Sequence, residues 1–373
     1  MNMLKTEKLR VLHIISGDLW AGAETMACTL LRHLHAYPDL DLAVILMNEG
    51  RLATELRESG LSVEVIDEEN YSFWEIVRKT RELLTAFKPH LIHSHRSKEN
   101  ILAAVARGFS STPPLIATQH GLPELARDKI KLSKRLVSIA HFQLLARYFE
   151  KNVAVSASVK TYLVQQRGFP SERVETIHNG IELPLHPLIR HENGVFVIGS
   201  SGRLFPVKDY PLMVEIAKAI TDATGKNIYF ELAGEGPQRP NIEAMIQRYG
   251  LHSNFFLKGH QDDMDTFYRG IDLYLNTSIH EGIPMTILEA LARGIPVIAP
   301  NVGGISEIIT NGVEGFLIEG RNPSDFAEKC LLLHGNRQLR KQMSQAARNR
   351  AEQAFSAEQM AERYYRLYRE IQT

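Results

Sequence analysis

Residues 278–300 read S-I-H-E-G-I-P-M-T-I-L-E-A-L-A-R-G-I-P-V-I-A-P. The apolar run before them, Ile271 to Leu275, reads as a buried strand. Pro284 has the fixed φ suited to a first helical position. Ile287, Leu288, Ala290, Leu291 and Ala292 carry a helix on to Arg293, and Gly294 stops it. Ile295 to Ala299 is the next strand. The stretch is therefore strand, loop, helix, strand. Glu281 lies on the loop, and Glu289 lies inside the helix about one and a half turns past Pro284. An open helix start offers free N–H groups and the positive end of the dipole, which suits a phosphate. Met285, Thr286 and Ile287 are expected to supply those amides. A diphosphate held there would put a ribose diol within reach of Glu289 and a sugar within reach of Glu281.

The same rhythm runs outward in both directions. In the first half, Val11–Ser16, Leu42–Met47, Val63–Asp67, Leu91–Ser94, Leu115–Thr118, Val153–Val155 and Val174–Ile177 are strand candidates, mostly separated by helical patterns. Such alternation implies a parallel sheet covered on both faces. Glu182 to Gly194 breaks the rhythm with two prolines and no clear period, and reads as a linker. Alternation restarts with Phe196–Ser200, Tyr229–Leu232, Phe255–Leu257, Leu273–Leu275, Pro296–Ala299 and Phe316–Ile318. Two doubly wound α/β domains are predicted, 1–183 and 195–356, joined by 184–194. The 373 residues, 44% hydrophobic and 23% charged, are enough for two cores.

Basic and acidic residues both number 43, so nothing global points to nucleic acid. Cys28 and Cys330 stand far apart in helical patterns and fit a reducing compartment. The charged start M-N-M-L-K-T-E-K-L-R has no signal-peptide core, and no run approaches the length of a membrane span. A cytoplasmic protein, or one peripheral on the inner face of the plasma membrane, is expected.

Glu281 to Glu289, with the E-G-I-P, L-E-A-L-A and G-I-P-V-I-A segments, resembles the E-x7-E motif of retaining nucleotide-sugar glycosyltransferases of family 4, which have the GT-B fold of two tandem Rossmann-like domains. The resemblance spans essentially the whole chain. It implies that Glu289 holds the donor ribose, that Glu281 with Gly282, Ile283, Pro284, Met285 and Thr286 holds the transferred hexose, and that the final helix, 357–373, packs back on the N-terminal domain.

Further motifs agree. Ser200 to Tyr210, S-S-G-R-L-F-P-V-K-D-Y, is similar to the family's G-R-L…K-G segment, with Asp209 where glycine is common. Arg203 and Lys208 can neutralise a departing diphosphate. With these cations and a helix end available, no divalent metal is required, and no D-x-D stands at a strand end. Ser16 to Thr25 is similar to the family's G-G-A-E loop with Ala21 in place of the first glycine, so Gly22 is carried over as a donor contact; a plain tight turn is the other reading. Ile92 to Arg96, I-H-S-H-R, puts His93 and His95 on one side of a strand. No third histidine or carboxylate follows nearby to make a metal site, so His93 reads as structural, and His95 and Arg96 as candidates to meet the acceptor.

His120, in T-Q-H-G, matches a family histidine that contacts the donor sugar; a satisfied core histidine is the alternative. L-A-G-E-G-P (232–237) and L-K-G-H-Q (257–261) resemble loops flanking the nucleotide and its base, and Asn301 to Gly304 reads either as a source of amides for the phosphate region or as a bare turn. The basic amphipathic segment 127–151, with seven Lys/Arg and two acids, reads either as a membrane-docking helix or as an ordinary helix with a basic outer face.

These resemblances imply a retaining transfer, with no cofactor, of a hexose or N-acetylhexosamine from a nucleotide-diphosphate sugar, UDP favoured, to a glycan or lipid-linked acceptor. His120, Glu281, Arg203 and Lys208 would be catalytic, in cell-envelope or exopolysaccharide synthesis. A GT-B nucleotide-sugar 2-epimerase and a non-catalytic nucleotide-sugar-binding protein are the alternatives.

Overall fold

The computed structural model describes residues 7–17, 20–108, 112–121, 132–185, 194–225 and 227–372. The chain divides into two compact units, Met1–Gly180 with Ala357–Thr373, and Ile181–Ser356. In the first, strands β1 (Leu9–Ile15), β2 (Leu40–Leu46), β3 (Ser62–Val65), β4 (Leu91–Ser94), β5 (Leu115–Gln119), β6 (Lys151–Ala154) and β7 (Val174–Thr176) form one sheet. Helices α1 (Gly22–His35), α2 (Arg51–Glu58), α3 (Phe73–Phe87), α4 (Ser97–Arg107), α5 (Leu132–Tyr148) and α6 (Ala157–Thr161) join them. In the second unit the strands are β8 (Phe196–Ser201), β9 (Ile228–Ala233), β10 (Phe255–Gly259), β11 (Leu273–Leu275), β12 (Val297–Pro300) and β13 (Gly315–Ile318). Its helices are α7 (Tyr210–Thr224), α8 (Arg239–Arg248), α9 (Met264–Gly270), α10 (Met285–Ala292), α11 (Ile305–Ile308), α12 (Pro323–Gly335) and α13 (Arg337–Ala354). The last helix, α14 (Ala357–Gln372), belongs to the first unit.

Both sheets are wholly parallel, in the orders β3-β2-β1-β4-β5-β6-β7 and β10-β9-β8-β11-β12-β13. The strands read as near-continuous apolar runs because helices cover both faces. Each order reverses direction once, between β1 and β4 and between β8 and β11. Ligands of open α/β sheets bind outside the carboxyl ends of the strands at that reversal.

The second unit's core joins Ile198, Phe230 and Leu273 of the sheet to Met213, Ile216 and Phe326 of the helices around it. Local signals set the helix ends. Asn322 Oδ1 accepts from the Ser324 amide at 3.2 Å ahead of Pro323, and Asn336 Oδ1 accepts from the Leu339 amide at 2.9 Å.

Some boundaries differ from the sequence expectation. The strand expected to reach Asp67 ends at Val65, because Asp67 turns the chain by accepting from the Glu69 amide at 2.9 Å. The expected linker start moves too. The Ile181 amide donates to the Phe355 carbonyl at 2.8 Å and Arg348 Nη2 to the Pro184 carbonyl at 3.0 Å, which places 181–184 in the second unit rather than the first. Residues 186–193 lie outside the described residues.

In the first unit, α14 is tied to α1 and the sheet. Tyr365 donates to Asp39 at 2.6 Å and stacks on Tyr37, and Gln372 donates to the His90 carbonyl at 2.8 Å. Both cysteines are buried, and they are not disulfide-bonded. No helix of the described residues is long and apolar enough to cross a membrane.

Candidate active site

In the second unit the carboxyl ends of β8 and β11 bring two loops together. After β8, Gly202 takes φ +146, and its amide donates to the Ala233 carbonyl at 3.0 Å. Arg203 then projects into solvent, and its guanidinium lies 4.8 Å from the Phe205 ring centre. Lys208 closes a short 3-10 turn, Pro206–Lys208. After β11, residues 276–284 run to the start of α10.

Three bonds fasten the loops. Thr277 Oγ1 donates to the Lys208 carbonyl (2.9 Å), the Ile279 amide donates to the Val207 carbonyl (2.8 Å), and Lys208 Nζ donates to Glu281 Oε1 (2.6 Å). Ser278 Oγ donates to the same Glu281 oxygen at 2.6 Å. Burial alone would lower the Lys208 pKa. The Glu281 carboxylate and its hydrogen bond outweigh burial, with the Arg203 charge opposing, so the ammonium is held above the ordinary lysine value.

Asp209 follows in the left-handed region, φ +46. The family pattern has glycine there, and the backbone shows why. The carboxylate of Asp209 is gripped by Arg321, through Nε at 3.1 Å and Nη2 at 2.5 Å. Arg321 also donates to the Thr277 carbonyl (2.6 Å) and the Ser278 carbonyl (3.1 Å), so one guanidinium clasps both loops.

Pro284 is the N-cap of α10, with φ −72 and ψ 116, and not its first helical residue. Its carbonyl takes the Ile287 amide at 3.1 Å and the Leu288 amide at 3.3 Å. The expected trio of open amides therefore reduces to Met285 and Thr286. Gly282, Ile283 and Pro284 are buried in the approach to this end, and Glu281 is partly exposed.

Glu289, one turn along, accepts a 2.6 Å hydrogen bond from Tyr268 Oη. Burial raises its pKa, while that bond and Arg293 pull the other way. Arg293 also stacks 4.8 Å from the Tyr268 ring centre. Of the two readings of 301–304, the turn is favoured: the Gly304 amide donates to the Glu281 carbonyl at 3.3 Å. Gly303, at φ +56, lies so close that a Cβ would stand 1.9 Å from that carbonyl oxygen. The glycine pair braces the Glu281 loop.

In the first unit, Gly17 follows β1 where a Cβ would meet the Asn48 carbonyl oxygen at 2.6 Å. Gly22 opens α1, with Ala21 as N-cap. Arg96 forms an ion pair with buried Glu24, so the expected acceptor contact is engaged inside its own unit. Glu99 Oε1 accepts from the Ser16 amide at 2.8 Å and from the Ser16 hydroxyl.

The sheet register sets His13 of β1 beside His93 of β4, which supplies the third histidine that the sequence reading did not find. His93 is structural, as expected: its Nδ1 meets Tyr368 Oη at 2.6 Å and its Nε2 meets Thr118 Oγ1 at 2.8 Å. His95 and His120 follow β4 and β5 directly, with their rings stacked 5.6 Å apart. Burial lowers all four ring pKa values, to about 3 for His13 and His120 and well below the ordinary value for His93 and His95.

Tyr268, Arg321 and His13 were missed from sequence. Tyr268 and Arg321 meet their partners only through the fold, at separations of 21 and 112 residues. His13 did leave a trace, as a ring with two polar nitrogens inside the otherwise apolar strand end V-L-H-I-I. Ser278 was also legible, three residues before Glu281. Of the 127–151 segment, 127–131 lie outside the described residues. On α5, Leu136, Val137 and Ile139 are exposed, and Phe142 and Leu145 are buried.

Two doubly wound parallel sheets in tandem, one with cations and carboxylates gathered at its reversal point, have the layout of the GT-B fold. Residues 187–350 match the family described as Glycosyl transferases group 1, and residues 20–184 match Glycosyltransferase Family 4. The chain belongs to the group 1 glycosyltransferases of the GT-B fold.

Relatives include the poly(ribitol-phosphate) alpha-N-acetylglucosaminyltransferase of Staphylococcus aureus, 29% identical over 201 residues, 54% of this chain and 40% of that protein. The chain thus spans less than half of that relative. The UDP-Gal:alpha-D-GlcNAc-diphosphoundecaprenol alpha-1,3-galactosyltransferase of Escherichia coli is 22% identical over 97% of each chain. The crystal structure of Anabaena HepE with UDP and glucose superposes with a TM-score of 0.82 at 21% identity, covering 96% of this chain and 99% of the other.

Proposed function

We propose that this protein transfers a hexose or N-acetylhexosamine, with retention of anomeric configuration, from a UDP-sugar to a glycan or lipid-linked acceptor in envelope or exopolysaccharide synthesis. The observation that carries the proposal is the Lys208–Glu281–Ser278 cluster beside the open amides of Met285 and Thr286, with Glu289 held by Tyr268. A diphosphate is matched there by Arg203, Lys208 and the helix amino end. As the glycosidic bond breaks, charge develops on the leaving diphosphate, and fixed cations stabilise it without moving. Lys208 is already charged, and phosphate oxygens can share it with Glu281. Glu281 is thereby turned to accept from sugar hydroxyls, and Glu289 from the ribose diol.

The two cations supply the positive charge, so turnover should persist in EDTA. His120 is assigned to the transferred sugar, and His95 to the acceptor. One named relative transfers from UDP-Gal to GlcNAc-diphosphoundecaprenol and the other transfers N-acetylglucosamine to poly(ribitol-phosphate), which supports the donor class and the acceptor class. Exposed Leu136, Val137 and Ile139 on α5 support a peripheral membrane contact.

The test is a thermal-shift panel of UDP, GDP, ADP and CMP on wild type, Glu289→Ala and the Arg203→Ala/Lys208→Ala double variant. A ligand at a hundred times its Kd stabilises by about 2.7 kcal/mol. UDP should raise Tm in wild type and lose most of that effect in both variants. Equal shifts in all three proteins, or none from any nucleotide, would overturn the assignment. NMR of the product anomer checks retention.

A further inference from the structure

In the first unit, the turn after β1 is fastened at several points. The Ser16 amide donates to Glu99 Oε1 at 2.8 Å, and the Ser16 hydroxyl donates to the same oxygen. The segment after β2 packs against the turn. A Cβ on Gly17 would stand 2.6 Å from the Asn48 carbonyl oxygen, and one on Gly50 would stand 2.8 Å from the Gly17 carbonyl oxygen. Trp20, further along, lies under the Arg51 guanidinium, which is 4.6 Å from its ring centre. In the first turn of α1, buried Glu24 pairs with Arg96, the N-cap of α4.

Glu99 reaches Ser16 from α4, across the reversal between β1 and β4. It is fully buried, and its second oxygen, Oε2, has no hydrogen-bond partner among the described residues. The next residue anchors it. Asn100 Oδ1 accepts from Ser94 Oγ of β4 at 2.6 Å, and Asn100 Nδ2 meets His141 Nε2 of α5 at 3.0 Å. A carboxylate buried with one oxygen bare costs stability, and an apolar side chain of similar size would cost less. The start of α4 offsets only part of that cost. Glu99 therefore points to a task other than holding the unit together.

The first βα turn of a doubly wound unit is where a phosphate ordinarily sits, on amides of the strand end and helix start. A carboxylate competes with a phosphate for the same N–H donors. Here the strand-end amide is already taken by an anion that belongs to the chain. The second unit differs at its own reversal. The amide of Ser201, the last residue of β8, donates to the Tyr274 hydroxyl at 3.2 Å, and the charged residues that follow are Arg203 and Lys208.

We propose that Glu99 is a positioning residue for the transfer reaction. Its carboxylate stands in for a phosphate at the first βα turn, sets that turn through Ser16 before any ligand arrives, and closes the Ser16 amide to external anions. Glu99 touches no substrate; it acts through the turn that carries Ser16 and leads to Gly22. The proposal rests on the glycosyl-transfer reading for the reaction that the turn serves.

The test uses the full chain with Trp74→Phe. The chain has two tryptophans, and Trp74 is 70% exposed, so this change leaves Trp20 as the sole reporter and removes only a surface side chain. Trp20 emission and its quenching by acrylamide are read in UDP-saturated protein, where the second unit's site is filled. Turnover is read as UDP release from a UDP-sugar. In Glu99→Ala, Trp20 should become more quenchable. Turnover should fall roughly 10- to 100-fold, as for a displacement of about 1 Å, with UDP affinity by calorimetry unchanged. Sodium formate, a free carboxylate small enough for the vacated space, should restore the Trp20 signal and most of the turnover. Sodium chloride at equal ionic strength should restore neither. Inorganic phosphate should leave Trp20 unmoved while Glu99 is present.

Glu99→Gln keeps an oxygen acceptor without the charge. It should hold Trp20 closer to its original state than Glu99→Ala does, and formate should not change it, because the space is filled. Where Glu99→Ala does not fold, Ser16→Ala decides. It removes one of the two bonds and leaves Glu99 in place, so Trp20 should shift part of the way and turnover fall roughly fivefold. Unaltered Trp20 and turnover in Glu99→Ala, or in Ser16→Ala in its place, would overturn the proposal. So would a loss that formate does not reverse, or a Trp20 response to phosphate while Glu99 is present. Failure of UDP to bind would instead sink the glycosyl-transfer reading. The Trp20 comparison can be read without UDP, so the two failures are separable.

Discussion

At the scale of single residues, the candidate donor site is a set of side chains holding one another in place. Lys208 and Glu281 are fixed by each other, by Ser278, and by the Arg321 clasp on Asp209, Thr277 and Ser278. Left-handed backbone at a non-glycine residue costs roughly 1–2 kcal/mol, and at Asp209 the ion pair with Arg321 offsets it. Arg321→Ala should leave the fold intact while freeing both loops. A displacement of about 1 Å can cost up to 10²-fold in rate, so turnover should fall roughly 10- to 100-fold, with a smaller change in UDP affinity. Asp209→Gly should lose less, since glycine accepts the backbone angle. Steady-state kinetics with a UDP-sugar measures both. Equal rates in wild type and Arg321→Ala would show that the clasp does not position Lys208 and Glu281.

At the scale of elements, α14 and strands β1, β4 and β5 enclose the histidines, and this sets a pH dependence. His13, His93, His95 and His120 are buried as neutral rings with lowered pKa values, about 3 for the first and last. Unfolded histidine titrates near 6.5. The unfolded chain therefore binds more protons below that pH. Stability from these sites is fully present above about 6.5 and is lost as pH falls towards 3. Each ring contributes up to roughly 1.4 kcal/mol per pH unit in that window. Urea midpoints should fall steeply from pH 6.5 to 5, and Tyr368→Phe should not flatten the slope, because the rings stay buried. A flat profile would mean that these rings ionise without unfolding the unit.

Taken as a whole molecule, the chain is unevenly continuous. Unit two is one segment, Ile181–Ser356, and contains Arg203, Lys208, Glu281 and Glu289, whereas Gly22 and His120 lie in unit one. Unit one needs two segments, because α14 supplies Tyr364 and Tyr368 to Thr118 and His93, and Tyr365 to Asp39. Residues 181–356 expressed alone should fold and bind UDP within a few-fold of the full chain. Residues 7–180 without α14 should be insoluble, having lost buried hydrogen-bond partners and the packing of α14 on α1. Calorimetry and circular dichroism decide both. A soluble, cooperatively unfolding 7–180 fragment would contradict the role given to α14.

The sequence by itself determined the two parallel sheets, because strands buried on both faces must be apolar runs and the helices between them must show a 3.6-residue period. It also marked Arg203, Lys208, Glu281 and Glu289, because the segments around them resemble motifs of the family 4 glycosyltransferases. Only the tertiary structure decided how those groups are held. It made Pro284 a cap and spent the Ile287 amide on it, and it turned 301–304 into a brace for Glu281. It paired Arg96 with Glu24, brought Tyr268 to Glu289 and Arg321 to Asp209, and set His13 beside His93. The physical reason is range. Caps, turns and periodicity act over a few residues and leave their mark in order along the chain. Hydrogen bonds between strands and helices distant in sequence depend on register and crossover, which local residue order does not encode.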